Sequence, residues 1–394
     1  MEISVIIPIY NAEQYLQKTL SALQSQSYQD FEVILVDDVS RDGSIVVADR
    51  FCAQDKRFRV IRNKENLGAA RSRNRGLKEA SGRFVMFLDS DDRYYPTLLE
   101  NLHSNIIEYE ADIAMCRSNI IDQRTGKRRT FGQWKRLQPF FAKENIWVVD
   151  DLREREGASG LIDLVVWNKL IRRDWLQLTG IQFQNLPSYN DLYFSMSATI
   201  LAKRVVFLNK ILIDYYQFHS GSITEQRSQK NCGIVKAYAA VLREKQIKES
   251  KIASELRNRA MHNMLAVALA DNRDWQSKVE LLKEIIDLYE TDWQNLKTEW
   301  DPICSYYLEK LKKLKEKELV NIDPVEFSAQ LIAQLLHEKV IFAVGNQQYN
   351  EAEKLKKVLI KYGRPVETIV LPDEPDSFWV GDGCRQYERK WVCL

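Results

Sequence analysis

Short apolar runs alternate with segments of helical periodicity along the first third of the chain. The apolar runs predict four buried strands, at residues 3–8, 31–36, 58–62 and 84–88. Three helices are predicted between them, over residues 12–24, 45–53 and 69–80. Alternation of this kind predicts an α/β fold, in which a mostly parallel sheet carries helices on both faces.

Polar side chains stand directly after the fourth of these strands. Asp89, Ser90, Asp91 and Asp92 follow it without a break. Ligands of open α/β sheets bind at the carboxyl ends of strands, and two carboxylates spaced as Asp89 and Asp91 can face one hard cation. An isolated Asp-x-Asp would more simply be a polar turn. Two other strand ends also carry suitable groups, which favours a binding site.

The groups at those strand ends match the parts of a nucleotide. A Tyr10 ring after the first strand could stack on a base, and Asp38 after the second could accept a hydrogen bond from a base N–H. Arg71 lies at the start of a predicted helix, where its charge and the positive helix end both favour a pyrophosphate. Each residue alone has a structural interpretation, as a core edge, a turn cap or a solvated helix face. Together they predict a nucleotide, diphosphate and cation site.

Residues 117–160 are the least regular part of the first half of the chain, and they mix cations with aromatic residues. One interpretation is a surface excursion without a role in binding. The other is an acceptor-side loop, because aromatic rings suit the apolar face of a sugar and such a loop could close over a donor.

Length, charge and cysteine content limit the class of protein. A chain of 394 residues is too long for one ordinary core, and its net charge of +2 gives no argument for a nucleic-acid partner. No apolar run approaches 18 residues and no signal peptide precedes the first strand, so we expect no membrane span and a cytoplasmic location. The six cysteines lack metal-ligand spacing and are expected to be reduced thiols.

The pattern changes after residue 225. Charged amphipathic helices are predicted over residues 234–245, 253–271, 276–288, 303–317 and 324–337. A β-α-β unit follows, with strands at residues 340–344 and 366–371 around a helix at residues 349–362.

We therefore predict two domains. The catalytic domain covers residues 1–225, with a nucleotide-sugar half at 1–116 and an acceptor half at 117–225. The add-on domain covers residues 226–394 and is helical over 226–337 and α/β over 338–394. Two roles are open for it, acceptor recognition and assembly into a homo-oligomer.

Four sequence blocks resemble successive motifs of the family 2 glycosyltransferases, which have the GT-A fold. The blocks are residues 4–11, 36–44, 66–74 and 88–92. The resemblance extends over residues 1–225 and implies a UDP-sugar donor with a divalent cation at the Asp-x-Asp motif. The implied metal ligands are Asp91, Asp89 and His219. An imidazole ligand suits Mn²⁺ better than Mg²⁺, so Mn²⁺ is expected, with Mg²⁺ as the alternative.

The resemblance also implies the substrate contacts. Four residues would hold the uridine, namely Pro8, Tyr10, Asn11 and Asp38. Arg71 would face the diphosphate, while Asp89 and Ser90 would contact the ribose and phosphates. The other implied substrate-binding residues are Asn66, Asn190 and Ser222.

The implied catalytic base lies later in the chain. In related transferases a Trp-Asn-Lys-Leu segment, here residues 167–170, precedes a Glu-Asp pair that opens a helix. This chain has Asn190-Asp191 at the pair, so Asp191 aligns with the base and the first acid is replaced by its amide. An Asp at a helix N-terminus can also be a simple cap. Asn190 can orient an acceptor hydroxyl but cannot take a proton.

The implied function is an inverting, metal-dependent transfer of a hexose from a UDP-sugar to a hydroxyl of a glycan or glycosylated-protein acceptor. UDP-galactose is slightly favoured over UDP-glucose and UDP-N-acetylglucosamine as the donor. Two alternatives are a nucleotidyltransferase that makes the sugar nucleotide and a non-catalytic partner subunit that binds UDP-sugar. Residues 8–11 lack the glycine-rich basic loop of nucleotidyltransferases, and intact Asp91 and Asp191 argue against a subunit without activity.

Overall fold

The chain divides into two compact units. The first comprises Met1–Arg227 with Cys232–Leu256, and the second comprises Ser228–Asn231 with Arg257–Leu394. The computed structural model describes residues 1–130, 141, 145–217, 233–268, 275–293, 340–344, 353, 357, 366–370, 378–382 and 391–393. The functional division at residue 225 stays a prediction.

Among the described residues, ten strands pair into one sheet in the first unit. They are β1 (Ile3–Ile9), β2 (Phe31–Asp37), β3 (Phe58–Arg62), β4 (Phe84–Phe87), β5 (Arg93–Tyr94), β6 (Ile113–Asp122), β7 (Arg128–Thr130), β8 (Ile146–Asp150), β9 (Lys169–Arg172) and β10 (Arg204–Gln217). The first four lie where the apolar runs predict them. The other six extend the same sheet.

Helices connect these strands and continue after them. They are α1 (Glu13–Gln24), α2 (Ser44–Gln54), α3 (Gly68–Glu79), α4 (Leu98–Glu108), α5 (Arg173–Thr179), α6 (Leu192–Leu201), α7 (Ile234–Arg243), α8 (Lys245–Lys248), α9 (Ala253–Ala268) and α10 (Trp275–Leu288). Within the described part of the chain, no helix combines the length and apolar character needed to cross a bilayer.

The sheet runs in the order β3-β2-β1-β4-β9-β6-β10-β5, with β7 attached to β6 and β8 attached to β10. β1 pairs in parallel with β2 and β4, β2 pairs in parallel with β3, and β6 pairs in parallel with β10. β9 is antiparallel to both of its neighbours. The predicted α/β fold with a mostly parallel sheet is confirmed, and the carboxyl ends of β1, β2 and β4 meet at one edge.

The central strands are apolar because helices cover both faces of the sheet. Every residue of β2 and β4 is buried. Helices α1 and α3 turn the apolar faces of Leu16, Leu20 and Ala70 into this core. Burial on both faces explains why these strands read as continuous apolar runs.

Residues 117–160, the least regular part of the first half by sequence pattern, contain regular strands where the structure describes them, and the choice between a surface excursion and an acceptor-side loop stays open. β6 continues through Asp122, β7 pairs with it in an antiparallel hairpin, and β8 pairs with β10. β7 and β8 escape pattern analysis because each pairs with one strand only among the described residues, and main-chain pairing holds residues such as Arg128 and Arg129 without burying them. Residues 131–140 and 142–144 lie outside the described residues.

A second sheet lies in the C-terminal unit. Its strands are β11 (Val340–Val344), β12 (Val366–Val370), β13 (Phe378–Asp382) and β14 (Trp391–Cys393), in the order β12-β11-β13-β14. The parallel β11–β12 pair is the predicted one, and two antiparallel strands extend it. The predicted helices at 303–317 and 324–337, and all of 349–362 except residues 353 and 357, lie outside the described residues.

Candidate active site

Three carboxylates converge in the turn after β4. Oxygen atoms of Asp89, Asp91 and Asp92 all lie within 4.8 Å of one another. Asp92 is the most buried of the three, at 3% exposure, while Asp89 and Asp91 are half-buried. The sequence predicts the first two as metal ligands, and the structure adds Asp92 to the cluster.

Hydrogen bonds from two elements, α1 and β5, fix the shape of this turn. The Thr19 hydroxyl of α1 lies 3.0 Å from the carbonyl oxygens of both Ser90 and Asp92. The Tyr94 hydroxyl accepts the Asp89 N–H at 2.9 Å and donates to the Asp89 carbonyl oxygen at 2.7 Å. The turn is therefore a rigid platform rather than a loose polar loop.

The electrostatics of the cluster fit a divalent cation. Burial raises the pKa of the Asp92 carboxyl well above its usual range, and the neighbouring Asp91 and Asp89 charges add to the rise. Oδ2 of Asp92 is buried without a hydrogen-bond partner among the described residues. Several carboxylate oxygens around one point are the donor set that Mg²⁺ and Mn²⁺ prefer. The predicted third ligand, His219, lies outside the described residues, as does Ser222.

The nucleotide end of the predicted site lies at the ends of β1 and β2. Tyr10 is 51% exposed, so its ring is available for stacking, and Pro8 before it is half-buried. The Asn11 side chain accepts the Arg41 N–H at 2.8 Å and so fastens the end of β1 to the loop after β2. The structure places these groups at one sheet edge, and their contacts with uridine stay predictions.

Asp38 has a structural role beside the predicted one. Its buried carboxylate accepts the N–H groups of Leu67 and Gly68, each at 2.7 Å, at the start of α3, and the Asn63 amide at 2.7 Å. The Asn66 amide donates to the Asp38 main-chain oxygen at 3.2 Å. Asp38 therefore anchors the N-terminus of α3, and its contact with a base stays a prediction.

Left-handed backbone conformations occur next to the predicted site residues. Asn11 has a φ of 49°, Val39 has a φ of 64° and Tyr189 has a φ of 55°. For the β-branched Val39 this conformation is strained, and strain of this kind concentrates at functional sites. The three positions follow or precede the groups predicted to bind substrate.

Two arginines of α3 have different environments. Arg71, predicted to face the diphosphate, is exposed near the start of the helix. Arg73, which the sequence analysis did not single out, is only 6% exposed and donates to Asp89 Oδ1 at 2.6 Å. Its second terminal nitrogen lies 3.3 Å from Asn190 Oδ1. Arg73 thus connects the turn at Asp89–Asp92 to the segment that contains the predicted base.

Asp191 occupies the N-cap position of α6, yet its side chain makes no capping hydrogen bond. The carboxylate is half-buried. Burial raises the pKa of the nearby Asp89 carboxyl, Arg73 opposes that rise, and the charges of Asp91 and, to a smaller extent, Asp191 add to it. The oxygens of a capping side chain would accept hydrogen bonds from the N–H groups of the first turn. The Asp191 carboxylate thus lies close to that of Asp89 without serving as a side-chain cap, and its role as the base stays a prediction.

The Trp-Asn-Lys-Leu segment forms a buried network beneath the site. Lys169 is fully buried and ion-paired with Asp163, which also accepts the Asn168 amide at 2.6 Å. Burial lowers the pKa of the Lys169 ammonium, although the Asp163 charge opposes the shift and Asp191 adds to that opposition. The segment is structural, and its cation lies close to the predicted base.

Three phenylalanine rings join the strand of the metal platform to the helix of the predicted base. Phe183 stacks on Phe194 of α6 with ring centres 3.9 Å apart and planes 7° from parallel. Phe87 of β4 contacts both rings edge-on, at 4.8 and 5.2 Å. This packing fixes α6 against β4 and hence Asp191 near Asp89.

We expect Phe194→Ala to lower the free energy of unfolding of the first unit by about 3–5 kcal/mol, because it leaves a cavity between two rings. Denaturant unfolding followed by circular dichroism measures the change. Leu178→Ala is the matched control, since Leu178 is 88% exposed, and we expect it to stay within about 0.5 kcal/mol of the unchanged protein. Equal effects of the two substitutions would contradict the role of the rings.

A solved structure has a similar fold. TarS of Staphylococcus aureus, residues 1–349 in complex with UDP-GlcNAc, aligns with a TM-score of 0.61 at 17% identity and covers 100% of this chain and 99% of that one. At this identity the likeness establishes the fold alone. It bears out the GT-A fold expected from the four sequence blocks.

Sequence comparisons define the family. The model of glycosyl transferase family 2 matches residues 4–179. Glycosyltransferase GlyG of Streptococcus pneumoniae is 30% identical over 225 residues, which cover 56% of this chain and 72% of GlyG. Glycosyltransferase GlyA of the same organism is 30% identical over 231 residues, 58% of this chain, and the match spans about a third of GlyA (32%). The chain belongs to family 2 of the glycosyltransferases.

Proposed function

We propose that this protein transfers a hexose from a UDP-sugar to a hydroxyl of a glycan or glycosylated-protein acceptor, with inversion at the anomeric carbon. One observation carries the proposal. Asp191 stands at the start of α6 without a capping bond, and the Phe87–Phe183–Phe194 cluster fixes that helix against the strand bearing Asp89 and Asp91. A base and a leaving-group site are thus held on one framework.

The donor nucleotide would occupy the edge formed by β1 and β2. Tyr10 offers an exposed ring for uracil, while Pro8 and Asn11 shape the end of β1. The Asp38 carboxylate can accept about four hydrogen bonds and already accepts three, from Leu67, Gly68 and Asn63, which leaves about one for a base N–H. Arg71 is exposed, so its guanidinium is accessible to a diphosphate, and Asn66 lies two residues before the start of α3.

Asp91 and Asp89 would hold the cation, with Mn²⁺ favoured over Mg²⁺ and with His219 as a further proposed ligand. When bound, such a cation neutralises charge that develops on the leaving UDP. Ser90 and Asp89 lie where ribose and phosphate oxygens would approach. Thr19 and Tyr94 keep the platform in shape, so little reorganisation is needed when the donor binds.

Asp191 would take the proton of the acceptor hydroxyl, a step that contributes about 10²–10⁴-fold in rate. One base opposite the leaving group implies direct displacement, so an α-linked donor gives a β-linked product. Asn190 cannot share the proton but offers an amide to orient the acceptor.

We place the reaction in the cytoplasm. Cys52 and Cys116 are free thiols, which agrees with a reducing compartment. UDP-galactose stays the slightly favoured donor, and UDP-glucose and UDP-N-acetylglucosamine are the other candidates. Acceptor recognition and oligomer formation are the two roles proposed for the C-terminal unit.

Calorimetry with UDP, GDP and UTP, each with and without Mn²⁺, tests this proposal. We expect UDP to bind only weakly without the metal and GDP to bind poorly in both conditions. A parallel assay with UTP and sugar 1-phosphates looks for pyrophosphate. Release of pyrophosphate would instead favour the nucleotidyltransferase alternative, and UDP binding without turnover of any donor would favour the non-catalytic subunit.

A further inference from the structure

The Arg73 side chain bonds to two parts of the proposed site, the turn at Asp89–Asp92 and the pair Asn190–Asp191. One terminal nitrogen donates to Asp89 Oδ1 at 2.6 Å, and the other lies 3.3 Å from Asn190 Oδ1, although these partners are 101 residues apart along the chain. Its Nε has no hydrogen-bond partner among the described residues. The two terminal nitrogens therefore hold the guanidinium, one bonded to Asp89 and the other to Asn190.

The next residue of α3, Asn74, is bonded through its side chain to the main chain of Phe183, in the segment before Asn190. The Asn74 amide donates to the Phe183 carbonyl oxygen at 2.8 Å, and its oxygen accepts the Phe183 N–H at 3.0 Å. The Arg73 guanidinium also lies over the Phe183 ring, 5.5 Å from its centre. Successive residues of one helix thus hold the segment that leads to Asn190 and Asp191.

The chemistry of Asn190 suits this arrangement. Its amide oxygen accepts one hydrogen bond without adding a charge, so the Arg73 charge stays committed to Asp89. A planar guanidinium can reach two acceptors at a fixed spacing, which a single ammonium cannot do. The pair Arg73–Asn190 therefore acts as a spacer between the Asp-x-Asp platform and the base.

We propose that Arg73 is a positioning residue, which acts through Asn190 to set the distance between the donor platform and Asp191. This inference rests on the proposed function, because the distance matters only if Asp191 deprotonates an acceptor hydroxyl that attacks the donor held at Asp89. A small misplacement of reacting groups can cost about 100-fold in rate.

Arg73→Lys, Asn190→Ala and the double variant test the proposal. We expect each single variant to lower kcat by about 10- to 100-fold, with a much smaller change in KM for the donor and in UDP affinity. The double variant should be no slower than the worse single variant, because both remove the same spacer. Asn190→Asp keeps the acceptor oxygen but adds a charge that competes with Asp89 for Arg73, so we expect its kcat to fall between those of Asn190→Ala and the unchanged protein.

Lys78→Ala is the control, since Lys78 is exposed on the same helix. The unfolding temperature of every variant is measured beside its kinetics. Additive losses in the double variant, or losses matched by falling thermal stability, would overturn the positioning role. If Arg73→Lys does not fold, Asn190→Ala against Asn190→Asp decides alone, and equal rates would overturn the inference. Failure of the proposed function is seen as no turnover by the unchanged protein. Failure of the positioning role alone leaves the unchanged protein active.

Discussion

Asp191→Asn is expected to reduce sugar transfer by about 10²–10⁴-fold while leaving UDP affinity unchanged. The amide has the shape of the carboxylate but cannot accept the proton of the acceptor hydroxyl. The substitution disturbs no capping bond, because the Asp191 side chain makes none in the first turn of α6. UDP release in the presence of acceptor measures the rate, and calorimetry measures the affinity.

Asp174→Asn provides a matched control for this change. Its side chain is 78% exposed on α5, and we expect normal transfer from it. A near-normal rate of Asp191→Asn would remove Asp191 from the chemistry and leave it as the first residue of a helix. A parallel loss of UDP affinity would instead indicate that the carboxylate shapes the donor site.

Asp91→Asn is expected to abolish the dependence of UDP binding on Mn²⁺. Asp91 shares the turn with Asp89 and Asp92, and their oxygens lie within 4.8 Å of one another, so the substitution removes one of three clustered carboxylates and one of the two proposed acidic ligands. Binding of a divalent cation at this kind of oxygen site depends on ligand charge. Titration of UDP at fixed Mn²⁺, and of Mn²⁺ followed by electron paramagnetic resonance, measures both halves of the prediction.

Asp174→Asn serves again as the control, because it removes an acid without touching the platform. Unchanged metal-dependent affinity in Asp91→Asn would remove Asp91 from the metal shell. The buried Asp92, whose Oδ2 has no hydrogen-bond partner within the described ranges, would then be the next candidate metal ligand.

Local pattern was enough to predict the donor half of the fold. The strands β1 to β4 are short apolar runs buried on both faces, and the polar groups after them fall at one edge because the strands are parallel. The Asp-x-Asp turn could be predicted for the same reason. A site formed by consecutive residues can be predicted from the sequence alone.

Contacts between distant segments could not be predicted in this way. Arg73 and Asn190 are 117 positions apart, and nothing local distinguishes Arg73 from Arg71 or Arg75 on the same helix. The burial of Asp92 depends on the Tyr216 N–H of β10, which bonds its Oδ1 at 3.0 Å. Such roles are set by tertiary packing, whereas a sequence pattern reports only which face of an element is apolar.

The central claim is that this protein cleaves a UDP-sugar at a metal site built on Asp89 and Asp91. The most direct measurement is UDP release from UDP-galactose, UDP-glucose and UDP-N-acetylglucosamine, with and without Mn²⁺ and with and without a glycan acceptor. We predict that one donor is turned over only with the metal and faster with acceptor. Equal release in chelator, or no release from a protein that still binds UDP, would contradict the account.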